Sequence, residues 1–220
     1  MRPAQMANTQ ADAPPGEGSP KRLEALNDGI FAIVMTLIVL EVAVPEGPQG
    51  TLLVQLGSVV PTLLTYVLTF ATLGIFWFGN RAQSEYVGTA NHPYVWLNLL
   101  FLGTIALVPF SEALLGSYPS SRLAVVEYGL HLTIAAVIHG LIWVYVMRHP
   151  ALLNRSLSKR YRRLSQGTTF AIAAGYGLAT VIGLIFPLAG LLAFLVVPVP
   201  FVAGWYYRML GAIDSPKPRV

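Results

Sequence analysis

Side chains able to do covalent or acid–base chemistry are few in this sequence and poorly placed for it. There is no cysteine among the 220 residues, which removes thiolate nucleophiles, iron–sulfur ligation, Cys-type zinc sites and disulfides. His131 and His139 stand eight positions apart with no third ligand nearby, so contacts between packed helices suit them better than a metal. Glu112 and Glu127 lie either side of a turn-forming run and are expected to be solvated. No HExxH, Walker loop, GxGxxG or nucleophile elbow occurs, and the acids within apolar segments are too few for a catalytic pair. Enzyme chemistry, metals and organic cofactors are therefore not expected. The informative pattern lies instead at residues 22–41. At about 100° per residue, Arg22, Leu26, Gly29, Ile33, Thr36, Leu37 and Leu40 fall within one arc of roughly 100°. A helix facing only lipid has no need to confine its hydroxyl, glycine and arginine to one side, whereas a helix packed against copies of itself does. The same stripe is also compatible with plain packing.

These residues must be positioned by apolar helices. Of the whole chain 55% is hydrophobic and only 11% charged, against about a quarter charged in ordinary soluble domains. With a mean hydropathy of +0.61, the bilayer is the solvent for most of the molecule, and the fold class is an all-α integral membrane protein. Residues 1–18 have no apolar run and lack the basic start and hydrophobic core of a signal peptide, so they read as a disordered tail. Ser19-Pro20 suits a helix start. Apolar spans are expected at 29–44, 53–78, 93–111 and 125–147, followed by a basic loop over 148–163. Residues 164–207 are free of charge and too long for one helix; Pro187 and Gly190 break them into spans five and six. The transmembrane domain is expected to cover 19–210, and 211–220 to form a C-terminal tail.

Six spans place both termini on one side. Thirteen cationic residues, among them Arg22, Arg81, Arg148, Arg155, Arg163 and Arg208, fall on that side and only Arg122 on the other, so both termini are expected to be cytoplasmic, in the cell membrane. The basic loop belongs against an anionic inner leaflet, and no nucleic-acid partner is implied. No span carries an arginine ladder, which argues against direct voltage sensing. Gly175-Tyr176-Gly177 has the composition of a carbonyl-lined filter, but it sits inside a continuous apolar span, where small residues serve close helix approach. Glu41 could stand at the outer mouth and concentrate cations.

The segment 22–33, Arg22-Leu23-Glu24-Ala25-Leu26-Asn27-Asp28 onward, resembles the R-x-x-x-F-S-D signature that opens the first helix of the transmembrane protein 175 family of potassium channels. The likeness continues through Met35-Thr36-Leu37-Ile38-Val39-Leu40-Glu41, through Phe76-Trp77, and through Trp96-Leu97-Asn98-Leu99-Leu100-Phe101 with Pro109-Phe110. It is strong over about residues 21–115 and weaker beyond. Two positions depart: Leu26-Asn27 replaces Phe-Ser, and Asn80 stands where family members usually carry histidine. Asparagine does not titrate, which puts in doubt any pH response that depends on that histidine.

The resemblance implies a potassium-permeable channel without the familiar filter, built as a homotetramer whose first helices surround a central pore with passive flux down the gradient. By position, Ile33, Leu37 and Leu40 match its hydrophobic constriction and Thr36 its hydroxyl layer. Apolar rings would gate by dewetting, and threonine oxygens could replace part of an ion's hydration shell. Val34, about 100° from Ile33, falls away from the stripe's centre and is expected to tolerate alanine with the least effect on flux. Arg22 and Asp28 are about 120° apart on the helix and cannot bridge each other; Asn27, Trp77, Asn80 and Asn98 are the expected partners in a structural polar network. Snorkelling of Arg22 to lipid phosphate and a wet vestibule at Asp28 form the simpler alternative. A secondary transporter or proton-conducting protein is the alternative function, although no pair of broken helices in the two halves is apparent.

Overall fold

A computed structural model describes residues 19–45, 48, 51–157, 159–197 and 199; the expected tails at 1–18 and 211–220 lie outside them. Among the described residues seven α-helices follow in order: α1 Lys21–Leu37, α2 Leu52–Ser84, α3 His92–Ala106, α4 Val108–Ser117, α5 Arg122–Arg148, α6 Lys159–Ile185 and α7 Pro187–Val196. A 3-10 turn, Ile38–Glu41, extends α1, and α3 and α4 together make one broken span, His92–Ser117. Among the described residues, five helical segments are long and apolar enough to cross a membrane. The apolar α7 begins the sixth expected span.

Local sequence accounts for the breaks. Pro109 has no N–H to offer the carbonyl of Ile105, and the third span interrupts at Leu107, whose N–H turns back to Thr104 O at 3.2 Å. The span expected at 93–111 is thus present as two helices in line, α3 and α4. Pro61 lies inside α2 and has no N–H to offer the carbonyl of Gly57; Thr65 Oγ1 donates to Pro61 O at 3.0 Å. At 33 residues, α2 is about 50 Å long at ~1.5 Å per residue, longer than a bilayer core of about 30 Å, so it must tilt or project. Phe186, in extended conformation, and Pro187 at the first position of α7 reverse the chain. The hairpin is tight: a Cβ on Gly190 would stand 2.5 Å from Gly183 Cα, so both glycines let α6 and α7 touch backbone to backbone.

Lipid is as apolar as leucine, so helix association rests on packing and buried hydrogen bonds rather than on expulsion of water. The centre is α5, whose Tyr128, Leu132, Ala135, Trp143 and Met147 are buried. An aromatic row then links the helices: Phe31 of α1 to Phe101 of α3 at 6.1 Å, Phe101 to Phe76 of α2 at 6.0 Å, and Phe76 to Tyr176 of α6 at 6.1 Å. Such pairs add about 0.5–1.5 kcal/mol each beyond simple contact.

The start of α1, the end of α2 and the α5–α6 link meet at one end of the bundle, where Lys21, Ser84 and Asn154 surround a common cavity. Gly88 N–H donates to Leu152 O at 2.8 Å and Asn154 N–H to Tyr86 O at 3.0 Å, and Arg155 lies over the Tyr86 ring at 4.3 Å. Arg162 donates to Met147 O. Lys21, Arg22, Arg81, Arg148 and Lys159 belong to this basic end by their places in the helices, whereas Arg122 opens α5 at the other.

Candidate functional site on the first helix

Helix α1 has two sides. Leu23, Asn27, Phe31 and Val34 are buried within the subunit, as is Ile38 in the following turn. The stripe is turned away from them: Ile33 is 59% exposed, Leu37 44% and Leu40 73%, and Arg22, Leu26, Gly29 and Thr36 are exposed too. A Cβ on Gly29 would meet nothing within 4 Å. Thr36 Oγ1 stands 2.8 Å from Ile33 O and 3.0 Å from Ala32 O, so its proton is directed into the helix and its lone pairs are left to the exposed side. Val34, where alanine is expected to change flux least, is only 3% exposed; it belongs to the core of the subunit.

The polar network expected around Arg22 and Asp28 takes a smaller form. Trp77 Nε1 donates to Asp28 Oδ1 at 2.8 Å, and Asn27 Nδ2 donates to Asn80 Oδ1 at 3.1 Å. These two bonds tie α1 to α2 beside a cavity of ≈ 360 Å³ whose walls include Glu24, Asn27, Asp28, Trp77, Asn80 and Arg81. The Arg81 guanidinium sits 5.9 Å from the Trp77 ring centre. Asn98 and Arg22 do not join. Asn98 is buried, but its amide donates to Tyr94 O of its own helix at 2.8 Å, the local bond that a residue four positions on can always reach. Arg22 is exposed and has no hydrogen-bond or ion-pair partner among the described residues, as the snorkelling alternative requires.

A second polar cluster was not anticipated. Glu112 is fully buried and Glu127 half-buried, so the expectation that both are solvated is wrong. Ser111 Oγ donates to Glu127 Oε1 at 2.8 Å and lies 2.5 Å from His131 Nδ1; His131 Nε2 reaches Thr104 O at 2.8 Å. His131 thus serves the carbonyl beside the Leu107 break, an interhelical contact and not a ligand. The i, i+4 spacing of Glu127 and His131, which puts both on one face of α5, was the available signal. His139 packs on Phe101, ring centres 5.2 Å apart. No cluster of three or more metal-binding side chains occurs among the described residues. The Gly175-Tyr176-Gly177 triplet is helical, with Tyr176 1% exposed.

Comparison with known proteins identifies the frame. The sequence profile of the family described as "Endosomal/lysosomal potassium channel TMEM175" matches residues 22–109, the part that carries both α1 and its partners on α2. A potassium channel of Streptomyces collinus is 34% identical over 197 residues, covering 81% of this chain and 94% of the relative. The chain belongs to the TMEM175 family. Its fold is shared with the crystal structure of a lysosomal potassium-selective channel TMEM175 homologue from Chamaesiphon minutus, with a TM-score of 0.68 at 26% identity over 83% of this chain and 96% of the other. The human protein named endosomal/lysosomal proton channel TMEM175 is 26% identical over 95% of this chain, which spans 46% of its length. The TMEM175 family is thus one of ion channels and not of enzymes, and this member is a membrane protein built from its helices.

Proposed function

We propose that this chain is the subunit of a potassium-permeable cation channel, a homotetramer in the cell membrane with both termini cytoplasmic, whose four α1 helices line a central pore. The observation that carries this is the division of α1: its buried face holds the subunit together, while Ile33, Thr36, Leu37 and Leu40 are exposed in the isolated subunit. One subunit cannot enclose a path, but four such helices at about 8–10 Å spacing can leave a narrow axis. Ile33, Leu37 and Leu40 would form apolar rings that admit ions only when wetted, and Thr36 a ring of oxygens standing in for part of the hydration shell. Potassium ions are the permeant, needing no cofactor. The Asp28–Trp77 and Asn27–Asn80 bonds hold α1 at its angle to α2. The skew of cations toward the basic end supports cytoplasmic termini.

The test is flux from potassium-loaded proteoliposomes. A channel gives uncoupled potassium efflux that stops when the membrane potential is not relieved and resumes with a proton carrier; a coupled transporter requires a second substrate and refutes the proposal. Thr36→Ala should lower the potassium-to-sodium flux ratio with little gain in total flux, while Ile33→Asn should raise flux and lower the ratio. The transporter alternative gains one broken span, α3–α4, but α6 and α7 form a hairpin between spans, with Gly183 against Gly190, so a matching pair is still lacking among the described residues.

A further inference from the structure

The cavity at the basic end of the bundle is walled by charges of both signs that do not neutralise one another. Lys21 opens α1, Glu24 and Asp28 follow it one and two turns on, Arg81 sits in the last turn of α2, and Glu85 caps the end of that helix. All five line the same space of ≈ 360 Å³, a size within the range of small-molecule sites, about 300–1,000 Å³. No ion pair joins any two of them among the described residues. The Asp28 carboxylate is held at one oxygen only, by Trp77 Nε1, and the Arg81 guanidinium stands 5.9 Å from the Trp77 ring centre. Lys21, Asp28, Arg81 and Glu85 are exposed and Glu24 is half-buried, so a solute from water can reach them.

Two of these charges work against their own helices. A helix start is a positive pole and a helix end a negative one. Glu24 in the first turn of α1 and Arg81 in the last turn of α2 offset those poles, whereas Lys21 at the first position of α1 and Glu85 at the C-terminal cap of α2 reinforce them. An excess of cations on the inner side accounts for a lysine there; it does not account for the glutamate. Pro20, at the N-terminal cap, offers α1 no side-chain bond, and Lys21 N–H finds only Ser19 Oγ at 3.4 Å. Glu85 is carried on a fixed backbone: its N–H donates to Arg81 O at 3.2 Å, and its carbonyl accepts from Asn154 Nδ2 at 2.7 Å. One cavity therefore holds a positive pole reinforced by Lys21 and a negative pole reinforced by Glu85.

The chemistry of the walls narrows the occupant. A simple anion meets three carboxylates, a simple cation meets an ammonium and a guanidinium, and an apolar solute strips water from charged groups without replacing it. A metal ion finds no cluster of three or more His, Cys, Asp or Glu side chains among the described residues. We propose that the cavity binds a small zwitterion, a primary ammonium and an acid group separated by about two carbons, with the acid group on Lys21 and the ammonium on Glu85. Free amino acids and the phosphoethanolamine headgroup of a lipid share this chemistry. The site joins the start of α1 to the end of α2 and to Asn154 of the α5–α6 link, and its occupation does not depend on which ion the protein passes.

The full chain is reconstituted in phosphatidylcholine vesicles, whose trimethylammonium headgroup has no N–H to donate, and thermal unfolding is followed as β-alanine or O-phosphoethanolamine is added. Both should raise the melting temperature saturably, while ethanolamine and propionate, each carrying one pole, should not at the same concentrations. Lys21→Met and Glu85→Gln, at exposed positions, should each weaken binding by at least about tenfold, the loss of one charge-assisted hydrogen bond. Arg122→Met, at the other end of the bundle, should leave binding unchanged. In vesicles containing phosphatidylethanolamine, a melting temperature raised in the wild type but not in Lys21→Met, and no longer responsive to β-alanine, assigns the site to the lipid headgroup; an undiminished response assigns it to a soluble zwitterion. The readout is binding, so a failed potassium-flux test leaves this proposal standing, and the reverse. It is overturned if neither zwitterion shifts unfolding, if ethanolamine or propionate shifts it equally, or if Lys21→Met and Glu85→Gln bind as the wild type does.

Discussion

Ile33 and Val34 are neighbours in sequence, similar in chemistry, and opposite in environment, so replacing each with alanine separates packing from pore lining. Val34 is 3% exposed and Ile33 59%. Val34→Ala deletes two methyl groups from a buried site within the subunit. At about 0.5–1.5 kcal/mol per buried methyl-sized group removed, the cost is about 1–3 kcal/mol, a fall in melting temperature of about 2–12 °C for a chain of this size. Ile33→Ala deletes more carbon, but less than half of that side chain is covered within the subunit, so the loss there should be below about 1 kcal/mol. The assay is thermal unfolding of the purified protein by tryptophan fluorescence, paired with potassium and sodium flux in vesicles. Val34→Ala should unfold earlier and, where it survives, keep the wild-type flux ratio. Ile33→Ala should keep its melting temperature and pass more ions with a lower potassium preference. If Ile33→Ala destabilises as much as Val34→Ala and leaves both fluxes unaltered, the exposed stripe is a packing seam and the assignment of a pore to α1 is wrong.

Three further outcomes follow from single contacts. Trp77→Phe removes the indole N–H that donates to Asp28 at 2.8 Å; because Asp28 is exposed and can be rehydrated, the stability loss should be about 1 kcal/mol or less, seen as a small fall in melting temperature. Gly190→Leu drives a side chain into Gly183 Cα, 2.5 Å from where its Cβ would stand, and should abolish assembly on size exclusion, whereas Gly167→Ala, with open space around it, should not. His131→Phe removes the side-chain partner of Thr104 O at the Leu107 break and one of the two partners of Ser111 Oγ, which keeps Glu127, and should cost about 1–3 kcal/mol, visible as faster hydrogen exchange in 104–112.

What the sequence made legible was what depends on composition and period. Charge-free stretches marked the spans, Pro187 marked the α6–α7 turn, and the 100° period separated Ile33 and Leu37 from the face that the subunit buries. What it could not show was pairing in three dimensions. Asp28 has several polar residues within the same depth of membrane, and only the crossing of α1 on α2 selects Trp77; Asn98 had a bond available within its own helix and took it. Glu112 and Glu127 looked solvated because they lie near a turn, yet α4 continues past Pro109 to Ser117 and carries Glu112 inward. The length of a helix after a proline break is set by what packs on it, which local propensity does not report.

Because the chain has no cysteine, a single thiol placed on the stripe can be read without background. In vesicles holding the Leu37→Cys protein, potassium flux should be blocked by silver or cadmium ions, since four thiolates converging on an axis make a soft-metal site across the path; Leu130→Cys, on an exposed face of α5, should be unaffected. Unblocked flux through a Leu37→Cys protein that has demonstrably reacted with the metal would contradict the claim that α1 lines the pore.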